Sequence, residues 1–187
     1  MNLKSILILA GLIILLAGAV FYFLKIASGE KEEKRPQIWS VADDKIKRIS
    51  IDLPGKKLFV AFFKDKEEKW RFEDKAKQVV DIKRWGGIVS LVSGPKAKRL
   101  ITESPEDLTQ YGLNNPPMVV TLGLQDQKNP LVILFGGLTP QGDQYYVKIK
   151  DQPTVYIMHK EYCEVLMRLA QEPPHPPAVK SIETKKD

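Results

Sequence analysis

Residues 45–63 read KIKRISIDLPGKKLFVAFF, and the alternation of apolar and polar side chains in this stretch predicts two strands joined by a tight turn. Ile49, Ile51 and Leu53 recur at a period of two, which places them on one face of a strand. Pro54-Gly55 supplies the turn, and a second apolar run brings the chain back. We therefore predict an antiparallel hairpin at the start of the folded domain.

Downstream segments extend this hairpin into an α+β domain of mostly antiparallel sheet over residues 38–171. Two main helices are predicted: one is capped by Asp81 and buries Ile82, Trp85, Ile88, Val89 and Val92, and the other spans residues 161–170 and buries Tyr162, Val165, Leu166 and Leu169. Further strands are predicted over residues 70–72, 97–101, 118–124, 131–135, 145–149 and 155–158. Two runs of strands, each followed by a helix, suggest a duplicated unit.

The N-terminal residues predict a single transmembrane helix before this domain. Residues 5–24, SILILAGLIILLAGAVFYFL, contain no charged side chain, and 20 helical residues span about 30 Å, the thickness of a bilayer's hydrocarbon core. We expect an uncleaved signal anchor over residues 5–25 that contacts membrane lipid, after a cytoplasmic head of residues 1–4. Cleavage as a signal peptide at Ala17-Gly18-Ala19 is the alternative, although the apolar run continues beyond that site to Leu24.

The basic residues around the apolar run give two opposed indications of orientation. Lys4 precedes the run, whereas Lys25, Lys31, Lys34 and Arg35 follow it, and a bare count keeps the domain in the cytoplasm. A short basic head before a long apolar run is instead typical of a signal anchor that exports the following domain. We expect a single-pass protein of the cell membrane with an extracytoplasmic domain, joined to its anchor by a charged linker over residues 26–37.

Composition limits the chemistry open to the domain. One cysteine excludes an intramolecular disulfide, and two histidines leave little material for a metal site. The net charge is +6, but basic side chains such as Lys96 and Lys98 alternate with apolar ones, as on the solvated face of a sheet. We expect no nucleic-acid partner, because such a surface has a denser basic stripe with exposed aromatics.

The middle of the chain predicts a short helix with a clear start and stop. Ser104 is a candidate N-cap, and Pro105 occupies the first helical position. Gly112 follows Tyr111 as a left-handed stop, so we expect a positive φ there. We expect Tyr111 and Leu113 to pack against the sheet.

These residues carry a resemblance to a known family. Residues 106–116, EDLTQYGLNNP, resemble the L-x-x-Y-G-L-[DN]-x-P signature of bacterial domain-of-unknown-function family 4340, and residues 134–146 are similar to that family's G…G…Y-Y hairpin. The resemblance implies an anchored accessory component, since family members typically carry one N-terminal helix and some are encoded beside ABC-type transporters linked to gliding motility. It implies no activity. We interpret the motif residues as structural: Ser104, Pro105, Tyr111, Gly112, Leu113, Pro116, Gly136, Gly142 and Tyr145.

Candidate catalytic and metal-binding residues are few. His159 and Cys163 stand four apart, a spacing that on a helix suits a metal, but no second ligand pair accompanies them. His175 lies between proline pairs, and no nucleophile elbow surrounds a serine. Gly136 and Gly142 are better explained as turn glycines than as a phosphate cradle, because no Walker lysine follows. We predict no catalytic, cofactor or metal site.

Residues 172–187, EPPHPPAVKSIETKKD, form a proline-rich end. Prolines stop the preceding helix, and few apolar side chains follow them, so the segment is predicted to be disordered. The alternative is a docking arm in which Val179 and Ile182 contact a partner.

Three functions stay open at this point. A non-enzymatic accessory or scaffolding subunit of a membrane complex is favoured, with other subunits as partners. An extracytoplasmic binding module for a small ligand or an envelope polymer is the alternative, and a hydrolase is third. An exposed apolar patch favours the subunit, whereas a closed pocket with convergent polar groups favours the ligand.

Overall fold

The computed structural model describes residues 11–22 and 35–177, in two units of Met1–Arg35 and Pro36–Asp187. Residues 11–22 are helical. Within the described residues, no helix combines the length and the apolar character that crossing a bilayer requires. The predicted anchor (5–25) and linker (26–37) lie partly outside the described residues, and Val179 and Ile182 lie wholly outside them.

The second unit is built on one eight-stranded antiparallel sheet in the order β3-β2-β1-β5-β6-β7-β8-β4, which confirms the predicted α+β class. The strands are β1 Ile46–Leu53, β2 Leu58–Lys64, β3 Trp70–Phe72, β4 Arg99–Thr102, β5 Met118–Leu124, β6 Leu131–Leu138, β7 Gln144–Ile149 and β8 Val155–His159. The helices are α1 Ile82–Trp85, α2 Ile88–Ser93 and α3 Lys160–Gln171, with 3₁₀ turns at Asp43–Lys45, Pro54–Lys56 and Thr109–Tyr111.

Strands β1 and β5 pair at the centre of the sheet, and a meander runs outward from each. Ser50 lies between Ala61 of β2 and Thr121 of β5, and Thr121 lies in turn between Ser50 and Val132 of β6. Ala61 therefore follows Ser50 by the same number of residues as Val132 follows Thr121. The hairpins β1–β2 and β5–β6 therefore share one register spacing, and the duplicated unit stays a prediction.

The helices cover one face of the sheet and enclose the core there. Ile49, Ile51 and Leu53 are buried on this face, as their alternation predicts, and α3 packs against β1, β2, β7 and β8. Helix α3 buries its side chains Cys163, Leu166, Leu169 and Ala170. The predicted buried face of this helix was wrong at Val165, which is exposed, because the buried stripe is rotated toward Cys163 and Ala170.

The first predicted helix is two short helices. Asp81 caps α1 as predicted, with its carboxylate accepting a hydrogen bond from the Lys83 backbone N–H at 3.0 Å. The chain then turns at Gly87, whose φ of +82° is in the left-handed region, and α2 begins. This break leaves Ile82 77% exposed, so its predicted burial was wrong, whereas Trp85 and Ile88 are buried.

The chain after α3 does not leave the domain at Glu172. Pro174 is buried, its carbonyl accepts a hydrogen bond from the Asp81 backbone N–H at 2.8 Å, and the His175 ring stacks on Phe72. Contacts with the domain therefore continue as far as His175, four residues into the tail that was predicted to be disordered. We call residues 172–177 the proline segment.

Candidate functional site

The connection from β4 to β5, residues 103–117, is the crossover, and its path follows from the strand order. Strand β4 pairs with β8 at one edge of the sheet, whereas β5 lies at the centre, so the crossover must pass β8, β7 and β6. Leu113 of the crossover is only 2% exposed and lies against the Cβ position of Gly136 in β6. Because Phe135 points into the helix-covered core, Gly136 points away from it, and the crossover covers the opposite face.

The crossover is seated on a bulge in β6. Phe135 lies opposite Val147 and Leu138 lies opposite Tyr145, so two residues of β6, Gly136 and Gly137, occupy the space opposite Tyr146 alone. Such a bulge bends the strand and re-aims its neighbours.

Two glycines allow the close approach of crossover and bulge, each for its own reason. A Cβ on Gly136 would overlap the carbonyl oxygen of Tyr111 and lie 3.0 Å from Cγ of Leu113. Gly112 has a φ of +65°, which confirms the predicted left-handed stop, and a Cβ on it would lie 2.8 Å from the backbone nitrogen of Gly137. The two segments that carry the family resemblance are therefore in direct backbone contact.

An aromatic pair flanks this contact. The rings of Tyr111 and Tyr146 meet edge to face, with centroids 4.9 Å apart. Tyr145 faces the helix-covered core instead, and burial raises the pKa of its hydroxyl. Sequence reasoning selected Tyr145 and missed Tyr146, although alternation with the buried Val147 already places Tyr146 on the crossover's face.

The start of the crossover differs from the prediction. The short helix is a single 3₁₀ turn over Thr109–Tyr111, and Ser104 does not cap it, because the turn begins five residues later and Leu108 occupies the N-cap position. Asp107 holds the turn, since its carboxylate accepts the Thr109 N–H at 2.8 Å, and this bond keeps the pKa of Asp107 below its usual range.

The remaining motif residues lie apart from the contact. Pro105 and Pro116 are half-buried within the crossover. Gly142 has a φ of +76° in the turn between β6 and β7, where its N–H donates to the Thr139 carbonyl at 2.8 Å. These three positions shape loops, and they do not converge with Tyr111 on one site.

The residues considered as catalytic candidates lie in surroundings that favour a structural role. Cys163 is fully buried in the core, and this burial strongly raises the pKa of its thiol. His159 is the residue that precedes α3, and His175 belongs to the proline segment. In residues 11–22 and 35–177, no group of three His, Cys, Asp or Glu side chains is arranged to hold a metal.

A shallow depression of about 400 Å³ opens beside the start of β1, lined by residues 40–42, Lys45 and residues 124–127. Lys45 and Asp126 form an exposed ion pair in this depression, with 3.9 Å between nitrogen and oxygen. It is open to solvent and lacks the enclosed, converging polar groups of a typical ligand site.

Half of the sheet's second face is left uncovered by the crossover. Across it, Phe59 lies opposite Asp52, Asp52 opposite Val119, and Val119 opposite Leu134. Phe59 is 64% exposed, whereas Val119 and Leu134 are partly exposed. We call this surface the open face, which comprises Asp52, Phe59, Val119, Thr121, Val132 and Leu134.

A one-sheet α+β domain with helices on one face and a glycine-seated crossover on the other defines the class of this protein. The family model described as Domain of unknown function (DUF4340) matches residues 70–171, which is more than half of the chain, and the chain belongs to that family. The match begins at β3, ends with α3 and includes both glycine segments of the crossover contact. No curated protein and no solved structure matches the chain.

The crossover contact makes the expected cost of a glycine-to-alanine substitution different at the neighbouring positions 136 and 137. We predict that Gly136→Ala lowers the free energy of unfolding by about 3 kcal/mol, because the new methyl group overlaps backbone that cannot move without unseating the crossover. Gly137→Ala is the matched control, since its Cβ position lies 3.8 Å from the Tyr111 oxygen, and it should cost less than about 1 kcal/mol. Urea denaturation measures both, and equal losses would contradict the proposed seating.

Proposed function

We propose that this chain is a non-enzymatic accessory or scaffolding subunit of a membrane protein complex. One observation carries the proposal: the open face presents the exposed ring of Phe59 and partly exposed aliphatic side chains of β5 and β6, on a sheet that helices cover on one face and the crossover covers on part of the other. Monomeric domains rarely leave contiguous apolar surface uncovered, and such surface commonly marks a protein–protein contact. The open face is the surface that another subunit would bury.

The composition of the open face fits a protein partner. Phe59 is a large, exposed apolar side chain of the kind that anchors an interface, and the β-branched Val119 and Thr121 of β5 lie on the same face, with Asp52 between Phe59 and Val119. Charged pairs lie at its border, with Arg48 bound to Glu73 at 2.7 Å and Arg71 bound to Asp65 at 2.5 Å. Apart from Asp52, the middle of the open face is uncharged, and charged residues at the border of an interface are common.

The two other functions have less support. A ligand-binding module needs an enclosed site, whereas the depression beside Lys45 is shallow and its ion pair is exposed. A hydrolase needs an activated nucleophile or a positioned acid–base pair. The raised pKa of the Cys163 thiol makes that residue a poor nucleophile, since the thiolate is the reactive form.

The membrane location is part of the proposal and rests on the sequence. Residues 5–25 would anchor the chain in the cell membrane through contact with lipid, and the domain would lie outside the cytoplasm. The proposed partners are other subunits of the same membrane complex.

A substitution in the open face tests the subunit role. Phe59→Lys should leave the free energy of unfolding within about 0.5 kcal/mol, because the side chain is exposed and the new ammonium lies opposite Asp52. It should abolish co-purification of the subunits that accompany the wild-type chain from native membranes in mild detergent. Val165→Lys, an exposed apolar position on α3, is the control and should retain them. Retention by Phe59→Lys would refute the role of the open face.

A second test addresses the anchor and its orientation. A reporter enzyme that is active only outside the cytoplasm, fused after Asp187, should be active, and deletion of residues 5–24 should abolish that activity. Mass spectrometry should find Met1 or Asn2 at the N-terminus. A mature chain that starts at Val20 would show cleavage, and a reporter active only in the cytoplasm would reverse the orientation.

A further inference from the structure

The proline segment is held by contacts of the kind used to bind a peptide. The Arg84 guanidinium donates to two successive carbonyls, through Nη2 to Glu172 at 2.7 Å and through Nη1 to Pro173 at 3.1 Å. The Asp81 backbone N–H donates to the next carbonyl, that of Pro174, at 2.8 Å. Three consecutive carbonyls are therefore bound from one short helix and its cap.

An aromatic surface completes the site. The His175 ring lies on Phe72 with centroids 4.4 Å apart and an angle of 8° between the planes. Phe72 packs in turn on Phe62, which contacts Trp85, so buried aromatic rings hold the Phe72 ring in place. With His175 in place Phe72 is only 3% exposed, and Pro174 is the buried residue of the segment.

The proline segment has the properties of a preorganised ligand. Four of the six residues are proline, namely Pro173, Pro174, Pro176 and Pro177. Because proline fixes φ, the segment loses less conformational entropy when it docks. Because proline lacks an N–H, few donors within the segment compete for its carbonyls, which stay free to accept hydrogen bonds from the domain. One internal bond, from the His175 N–H to the Pro173 carbonyl at 2.8 Å, sets a turn that delivers the ring to Phe72. Proline-rich peptides are commonly recognised by hydrogen-bond donors that bind their carbonyl oxygens beside an aromatic surface.

We propose that Phe72, Asp81 and Arg84 form a recognition site for proline-rich segments, which the chain's own residues 172–177 fill and which a proline-rich segment of another protein fills when they are displaced. The site is distinct from the open face and does not require membrane anchoring. Because the segment is attached to α3, its effective concentration at the site is in the millimolar range. A competing segment therefore binds well in either of two cases. The chain's own segment is weakened, or the competitor also binds the chain at a second place.

The test uses the full chain with a weakened proline segment, Pro174→Ser with His175→Ala, and a synthetic peptide of residues 171–177, QEPPHPP, as the probe. Binding is followed by tryptophan fluorescence, since Trp85 and Trp70 lie in the same aromatic cluster. The peptide should bind the weakened chain at least tenfold more tightly than the wild-type chain. Adding Arg84→Ala should weaken that binding at least tenfold. Lys83→Ala is the matched control on α1, and it should leave binding unchanged.

A folded weakened chain that does not bind the peptide, or that binds it equally with Arg84→Ala, would overturn the proposal. If the weakened chain fails to fold, the wild-type chain gives the answer by NMR. Stacking on Phe72 shifts the His175 ring protons, and millimolar peptide should move them toward their free positions. Ring-proton shifts of His175 that stay constant under saturating peptide would equally overturn it.

Discussion

The carbonyl oxygen of Tyr111 occupies the space where a side chain on residue 136 would lie, and the second face of the sheet depends on this close approach. Gly136 admits the carbonyl because it has no Cβ, and Gly112 turns the chain at a positive φ just after it. Leu113 is thereby pressed against the bulge and buried. Because the contact is mostly between backbone atoms, it restricts the size and backbone conformation of the residues at positions 112 and 136 more strictly than their polarity.

The position of the crossover divides the second face into a covered and an uncovered half. The Gly136–Gly137 end of β6 and strands β7 and β8 lie beneath the crossover, whereas β1, β2, β5 and the start of β6 present side chains such as Phe59, Val119 and Val132 to the surroundings. A crossover seated elsewhere would cover a different set of strands. The open face and its proposed partner contact are therefore consequences of the glycine contact, and the proline segment is a separate feature at the opposite edge, beside β3.

Local patterns in the sequence were enough to predict most strands and the fold class, because alternation such as that of Ile49 and Ile51 directly reflects a half-buried strand. The positive φ of Gly112 was predictable for the same local reason. The approach of Tyr111 to Gly136 was not, because it joins residues that are distant along the chain. Ser104 satisfied every local rule for a cap, yet the Asp107 carboxylate made the bond to the turn. The docking of residues 172–177 also depends on a distant side chain, Arg84, which a local pattern does not reveal.

The seating of the crossover on the bulge is the central claim, and proton–proton distances in the folded chain measure it directly. A NOESY spectrum should show strong cross-peaks between the δ-methyl protons of Leu113 and the α-protons of Gly136, because Cδ2 of Leu113 lies 3.1 Å from the Cβ position of that glycine. Cross-peaks between the rings of Tyr111 and Tyr146 should accompany them. A folded chain in which Leu113 shows cross-peaks only within the crossover, and none to Gly136, would contradict this account of the fold.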